Sequence, residues 1–154
     1  MTDETFSAEL TLGSLGETEA LGARIAALLA PGDTIALEGD LGAGKTTLAR
    51  AILTARGLRE TVPSPTFTLV QRYELPDFAV SHFDLYRIVR EADVDELGLD
   101  EALFDGAALI EWPEQAGSRL PDDALHVQLA IIEGTRRRAR LKGPVRWAKL
   151  GKVL

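Results

Sequence analysis

The sequence contains no cysteine and no asparagine, and its apolar residues never form a long run. Without cysteine, a disulfide framework and a thiolate metal site are both excluded. The longest purely apolar run, residues 25–30, is far shorter than the roughly 20 residues that a membrane-spanning helix needs. The first residues are acidic, whereas a secretory signal peptide begins with basic ones. We therefore predict a soluble, unprocessed, cytoplasmic protein with no membrane partner.

Charge is distributed unevenly along the chain. Residues 1–133 hold all 24 acidic side chains and 9 basic ones, whereas residues 134–154 hold 8 basic side chains and no acid. An acidic body argues against binding to a long stretch of duplex nucleic acid, but the basic end permits a local contact with RNA or an acidic protein. The length predicts a single domain over residues 1–142, followed by a basic, loosely held C-terminal tail over 143–154 with Trp147 and Leu150 as its anchors.

One glycine-rich segment, Gly39 to Thr46, has the G-x-x-x-x-G-K-T spacing of a phosphate-binding P-loop. It lies between an apolar run typical of a buried strand, residues 34–38, and a helical pattern over residues 47–53. Glycines in this context allow backbone amides to surround a phosphate, and the N-terminus of the helix attracts the anion. Lys45 is then placed to contact the β- and γ-phosphates, and the hydroxyl of Thr46 to bind Mg²⁺.

The pattern of the whole chain predicts an α/β fold: a P-loop NTPase-like three-layer sandwich, with a mixed, mainly parallel central sheet and antiparallel hairpins. A capping box at Ser14 and Glu17 opens the first helix, and Gly98 interrupts an acidic helical stretch over residues 90–104. The predicted strands cover residues 6–12, 34–38, 66–73, 78–86, 107–111, 125–131 and 136–141.

A P-loop enzyme also needs a carboxylate at the end of a neighbouring strand, which holds Mg²⁺ directly or through water. Glu111 ends an apolar run and fits this pattern best, while Asp84 ends a less apolar run. The alternative for each is that it does not bind a metal ion and is simply a solvated acid at the end of a strand. Thr66 and Thr68 follow a proline-containing loop and are either γ-phosphate sensors or ordinary strand residues.

Other polar and aromatic side chains have ordinary structural interpretations. We expect His82 to be an inert strand residue rather than a base, and Trp112 to be a packing residue rather than a nucleotide contact. A strand over Arg136–Arg140 would alternate its arginines between two faces, with only Arg137 on the second face. This basic strip is either a solvated edge that resists aggregation or a contact for an anion or a partner.

Five segments, in order, closely resemble the TsaE (YjeE) family, the small bacterial ATPases of tRNA threonylcarbamoyladenosine synthesis. The resemblance implies a P-loop α/β fold, binding of Mg·ATP and weak ATPase activity. It also implies an accessory role that supports turnover of two partners, TsaB and TsaD, which transfer the threonylcarbamoyl group to tRNA. The segments are Gly39–Thr47, Pro63–Leu69, His82–Arg87, Glu96–Gly98 and Ile110–Glu114, within a resemblance over residues 10–141.

The resemblance also assigns roles to individual residues. It implies that Lys45 and Asp84 are catalytic and that Thr46 and Glu111 are the Mg²⁺ ligands. Thr66 and Thr68 match a switch-like loop. The residues implied to bind ATP are Gly42, Ala43, Gly44, Lys45, Thr46, Thr47, Thr66 and Trp112.

Three other functions fit parts of the sequence. A small-molecule kinase could use Arg136–Arg140 as a lid over phosphates, but no separate acceptor-binding segment is evident. A GTPase usually contains an Asn-Lys-x-Asp segment, which a chain without asparagine cannot supply. An RNA-binding module would use the basic end, but it leaves Lys45, Asp84 and Glu111 unexplained. The partner-dependent ATPase accounts for the most features.

Overall fold

A computed structural model describes residues 4–59 and 69–151. In chain order its elements are β1 (Thr5–Leu12), α1 (Leu15–Leu28), β2 (Thr34–Glu38), α2 (Lys45–Ala55), β3 (Val70–Glu74), β4 (Ala79–Asp84), η1 (Glu91–Leu97), α3 (Leu99–Asp105), β5 (Gly106–Glu111), η2 (Pro113–Arg119), β6 (Leu125–Glu133), β7 (Arg136–Pro144) and η3 (Val145–Gly151), where η marks a 3₁₀ segment. None of the helices in these two ranges is long and apolar enough to cross a membrane.

The seven strands form one sheet in the order β1-β7-β6-β2-β5-β4-β3. The four central strands, β6, β2, β5 and β4, run parallel to one another. The outer strands add antiparallel pairs: the edge strand β3 pairs with β4, and β7 pairs with both β6 and the edge strand β1. Helices and 3₁₀ segments pack on both faces. The predicted α/β fold class, with a mixed sheet and antiparallel hairpins, is confirmed.

Strand β5 shows how the sheet separates two hydrophobic clusters. Ala107 and Leu109 pack in the cluster formed with α1 and α2, whereas Ala108 and Ile110 pack in the cluster formed with η1, α3 and η2. Successive residues of a strand point to opposite faces of the sheet. Glu111 therefore follows Leu109 onto the face that carries α2, which is where the P-loop joins that helix.

The local sequence signals before the P-loop agree with the structure. Strand β2 has the predicted bounds, and Ser14 caps α1 by accepting a hydrogen bond from Glu17 N at 3.2 Å. The Glu17 carboxylate in turn accepts from Gly13 N at 3.2 Å. This reciprocal pair satisfies one amide of the first helical turn, that of Glu17, and the amide of Gly13 just before the N-cap.

Six of the seven predicted strands differ in extent from those observed, and local structure explains the difference in two of them. The strand predicted over residues 78–86 ends at Asp84, because the chain turns at Leu85, whose carbonyl accepts from Ile88 N at 3.0 Å. The strand predicted over residues 66–73 begins at Val70, since Leu69 has φ 62 and forms a bend. Residues 66–68 of that prediction lie outside the described residues.

Residues 143–151 are packed, so the expectation of a loosely held tail is wrong over this range. Gly143 pairs with Phe6 in the β1–β7 ladder. A Cβ at Gly143 would lie 3.2 Å from Leu125 Cα, so the glycine permits a close approach of β7 to β6 rather than ending the strand. Trp147 and Leu150 are each 1% exposed in the main core, and these two predicted anchors are confirmed.

Candidate nucleotide site

The P-loop (Gly39 to Thr46) joins the end of β2 to the start of α2. At Gly39 the backbone has φ 144, and a Cβ there would lie 2.5 Å from Leu129 O of β6, so no other residue fits. Gly44 is the N-cap of α2 and has φ 110. Because glycine offers no side chain to cap the first amides of α2, those amides and the positive end of the helix dipole remain available to an anion.

Lys45 is folded back into the P-loop. Its Nζ donates to Gly39 O at 2.5 Å and to Asp40 O at 3.0 Å, and the residue is only 5% exposed. Burial lowers the pKa of Lys45, and the nearby carboxylates, Glu111 first among them, oppose this effect. The P-loop thus holds a desolvated cation whose hydrogen bonds are made to backbone carbonyls of the same loop.

Thr46, Glu111 and His82 form a hydrogen-bonded chain, in which Thr46 is partly buried and the other two are buried. The Thr46 hydroxyl donates to both carboxylate oxygens of Glu111, at 2.9 and 3.0 Å. Glu111 Oε2 lies 2.6 Å from His82 Nε2, and because a carboxylate only accepts hydrogen bonds, the imidazole nitrogen is the donor. His82 is 0% exposed and Glu111 3%. The hydroxyl and the carboxylate are hard oxygen donors of the kind that Mg²⁺ prefers.

Asp84 brings a second carboxylate to the same place. It pairs with Glu111 in the β4–β5 register, and its Oδ1 accepts from Tyr86 N at 3.1 Å. Burial raises the pKa of Asp84; the Tyr86 hydrogen bond opposes this effect, and the Glu111 carboxylate adds to it. Both acids proposed from the sequence therefore end neighbouring strands beside Lys45. No group of three or more His, Cys, Asp or Glu side chains in the described ranges could hold a metal ion.

Trp112 turns the chain out of β5 and over the P-loop. Its backbone is left-handed, with φ 58 and ψ 52, a conformation that costs a non-glycine residue about 1–3 kcal/mol and is concentrated at functional sites. The indole ring lies 4.0 Å from Lys45 Nζ, a cation–π contact, and 4.9 Å from the Tyr86 ring. Trp112 therefore lies where it could also contact a ligand of the P-loop.

A family model described as threonylcarbamoyl adenosine biosynthesis protein TsaE matches residues 12–139. The chain belongs to the TsaE family. The match begins at the end of β1 and extends into β7, so it includes the P-loop and the strands that carry Asp84 and Glu111. The family resemblance seen in the sequence is confirmed.

Individual relatives and a solved structure agree with this assignment. A Rickettsia bellii protein is 37% identical over 135 residues, which are 87% of this chain and 94% of the relative. A Bacillus subtilis protein is 39% identical over 112 residues, 72% of this chain and 70% of the relative. Both are named tRNA threonylcarbamoyladenosine biosynthesis protein TsaE. The crystal structure of Bacillus subtilis YdiB is similar with a TM-score of 0.79, at 28% identity, and covers 97% of this chain and 94% of its own.

In this TsaE family member the structure brings together most of the predicted site residues. Gly42, Ala43 and Gly44 lie in the P-loop, and Thr47 follows Lys45 and Thr46 in the first turn of α2. Trp112 lies over Lys45. Thr66 and Thr68 lie outside the described residues, so their roles stay predictions.

Sequence reasoning undervalued three residues of this TsaE site. His82 was expected to be inert, although its position two residues before Asp84 in a strand is a signal that both side chains share a face. Tyr86 and Arg137 received no individual role. The Tyr86 ring contacts the Trp112 ring at an interplanar angle of 50°, and Arg137 donates to P-loop carbonyls. The bond from Arg137 to Ala43 joins residues 94 apart in the chain, so no local sequence pattern predicts it.

Proposed function

We propose that this TsaE family member is a P-loop ATPase that binds Mg·ATP and hydrolyses it slowly, as an accessory factor in the threonylcarbamoyladenosine modification of tRNA. The observation that carries the proposal is the convergence of Lys45, Glu111 and Asp84 beside the N-terminus of α2. The pathway is supported by family membership and by relatives named for that biosynthesis.

The residues present fit both ligands. A Cβ at Gly42 would meet no atom within 4 Å, so the P-loop is open at this position, and the first amides of α2 lack a side-chain cap. Thr46 and Glu111 supply oxygen donors for Mg²⁺. ATP supplies a phosphoanhydride bond, and Mg²⁺ neutralises charge on its phosphates.

Each side chain then has a distinct task. Lys45 would exchange its bonds to Gly39 O and Asp40 O for phosphate oxygens, and Thr46 and Glu111 would hold the metal ion. Asp84 would orient water beside them, and the raised pKa of its buried carboxyl makes it a better proton acceptor than an exposed aspartate. Hydrolysis would be slow because a partner completes the site.

We further propose that the protein acts in the cytoplasm with TsaB and TsaD, and that it reaches tRNA indirectly through that complex. The half-exposed ring of Tyr86, beside Trp112, supports this proposal, because it gives the P-loop an aromatic edge that a partner can cover. Thr66 and Thr68 would report the γ-phosphate to the same surface.

The test is ATP hydrolysis by the purified chain, alone and with TsaB, TsaD and tRNA, with phosphate release and modified adenosine measured together. We expect the partners to raise phosphate release, and Lys45→Ala to abolish nucleotide binding or hydrolysis. Lys142→Ala is the matched control, because Lys142 is exposed on β7. If the partners change nothing and Lys45→Ala hydrolyses ATP like wild type, the proposal fails.

A small-molecule kinase with an arginine lid is less well supported. Arg138 and Arg140 lie in β7 beside a cavity that Gly39 and Asp40 also line, but their ion pairs with Glu9 of β1, at 3.0 and 3.4 Å, hold them against the sheet. Transfer of phosphate to a small acceptor in the same assay would favour the kinase instead.

A further inference from the structure

Arg137 connects the last hairpin of the sheet to the P-loop. Its Nε donates to Ala43 O at 2.8 Å, and its Nη2 donates to Gly42 O at 3.3 Å. Its remaining terminal nitrogen, Nη1, donates to Gly134 O at 2.6 Å and to Arg136 O at 3.0 Å in the β6–β7 turn. The guanidinium thus bridges the turn and the P-loop through carbonyl groups alone.

The two bonds to the P-loop determine how its peptide groups are oriented. In a planar trans peptide, the carbonyl and the following N–H point in opposite directions. A bond to Gly42 O therefore turns the N–H of Ala43 away from Arg137, where it donates to Asp40 O at 3.0 Å. In the same way, the bond to Ala43 O turns the N–H of Gly44 away from Arg137. That amide belongs to the segment on which a phosphate would lie.

Successive side chains of β7 alternate between the two faces of the sheet, so Arg137 lies on a different face from the arginines next to it. Ala139 and Leu141 are buried in the cluster with α1 and α2, and Arg137 shares their parity. Arg138 has the opposite parity and is paired with Glu9. Arg137 therefore lies on the face of the sheet that carries α2, whereas Arg138 and Arg140 lie on the opposite face, where they line a cavity with Gly39 and Asp40.

We propose that Arg137 is a positioning residue for nucleotide binding: it fixes two successive peptide planes of the P-loop and so orients the Gly44 amide toward a phosphate. A planar guanidinium suits this task because its rigid fork reaches two carbonyls at once, which the single ammonium of lysine does not do in the same geometry. The nucleotide part of the inference rests on the proposed function; the bracing of the loop does not.

The test uses the whole chain with Arg137→Gln, Arg137→Lys and, as a control on the same strand, Lys142→Gln, because Lys142 is exposed. Hydrogen–deuterium exchange of peptides covering residues 39–50 is measured without nucleotide, and Mg·ATP affinity is measured by calorimetry. Urea unfolding reports global stability. Because Arg137→Lys retains the charge and most of the stem, it keeps the test informative if Arg137→Gln does not fold.

We expect faster exchange confined to the P-loop peptides in both Arg137 variants, and Mg·ATP binding weakened about 10- to 100-fold, as loss of charge-assisted hydrogen bonds predicts. Lys142→Gln should match wild type in both measurements. Wild-type exchange in the Arg137 variants, or wild-type affinity despite faster exchange, overturns the proposal. Restoration of affinity by Arg137→Lys also overturns it, because charge rather than the fork would then be responsible. If wild type itself binds no Mg·ATP, the proposed function fails, while the exchange result still decides whether Arg137 braces the loop.

Discussion

The buried bond between His82 and Glu111 makes a quantitative prediction. It joins a carboxylate to an imidazole that is 0% exposed, and the same carboxylate holds the Thr46 hydroxyl. We consider a double-mutant cycle with His82→Leu and Glu111→Met, in which each change removes the bond and replaces a polar side chain with an apolar one of similar size.

Two opposing effects act in the His82→Leu variant. The bond to a charged acceptor contributes about 1.5–3 kcal/mol, and it is lost. However, His82 Nδ1 is buried with no hydrogen-bond partner among the described residues. Removing such an unsatisfied atom stabilises the folded state by about 1–3 kcal/mol. The single variant is therefore expected to change the free energy of unfolding by less than about 2 kcal/mol.

The cycle isolates the bond itself, because effects that belong to only one residue cancel. We expect a coupling free energy of about 1.5–3 kcal/mol, measured by urea unfolding in metal-free, nucleotide-free buffer. The same cycle on Arg72 and Glu74 is the control: their ion pair is 2.8 Å long but largely exposed, so its coupling should stay below about 1 kcal/mol. A coupling below about 0.5 kcal/mol for His82 and Glu111 would refute the reasoning.

Further variants test other features of the structure. Burial raises the pKa of Asp84, so the folded protein binds the proton of this carboxyl more tightly than the unfolded chain does. The protein therefore loses stability as pH rises through the folded pKa. Asp84→Asn should unfold at a higher urea concentration than wild type at pH 7, and the difference should shrink toward pH 4. An Asp84→Asn variant no more stable than wild type at pH 7 would contradict this. Gly39→Ala should lower the free energy of unfolding by about 1–3 kcal/mol because of its positive φ, and by a further 1–3 kcal/mol because of the clash with Leu129 O. Gly42→Ala should show only the loss of about 1–3 kcal/mol from positive φ in the same urea assay. Trp147→Ala should lower the free energy of unfolding by about 3–5 kcal/mol, measured by thermal or urea unfolding. A near-neutral result would instead support the expectation of a loosely held tail.

The parts of the fold that depend on local signals were predictable from the sequence. The strand before the P-loop, the Ser14 cap and the interruption at Gly98 each follow from a few adjacent residues, and all agree with the structure. The pairing of Glu111 with Thr46 was anticipated because a P-loop demands a carboxylate on a neighbouring strand.

The errors and omissions concern contacts between distant segments. A loosely held tail was predicted from Gly143 onward, yet Gly143 fits a close approach to β6 that only the assembled sheet creates. The left-handed backbone of Trp112 and the bonds of Arg137 to the P-loop likewise depend on neighbours remote in sequence. Propensity and periodicity carry no information about such partners.

The pairing of β1 with β7 has a consequence for how the chain is made. Thr5 lies opposite Pro144 and Leu12 opposite Arg137, so nearly the whole sequence separates the two strands. During synthesis, β1 leaves the ribosome early but its partner emerges last, after β2, β5 and β6 are already available to one another. The N-terminal strand must therefore wait as an unpaired edge, and closing it is a late, slow step of high contact order. Completion of this edge coincides with the arrival of Arg137 at the P-loop, so a nascent chain braces its P-loop and finishes its sheet together.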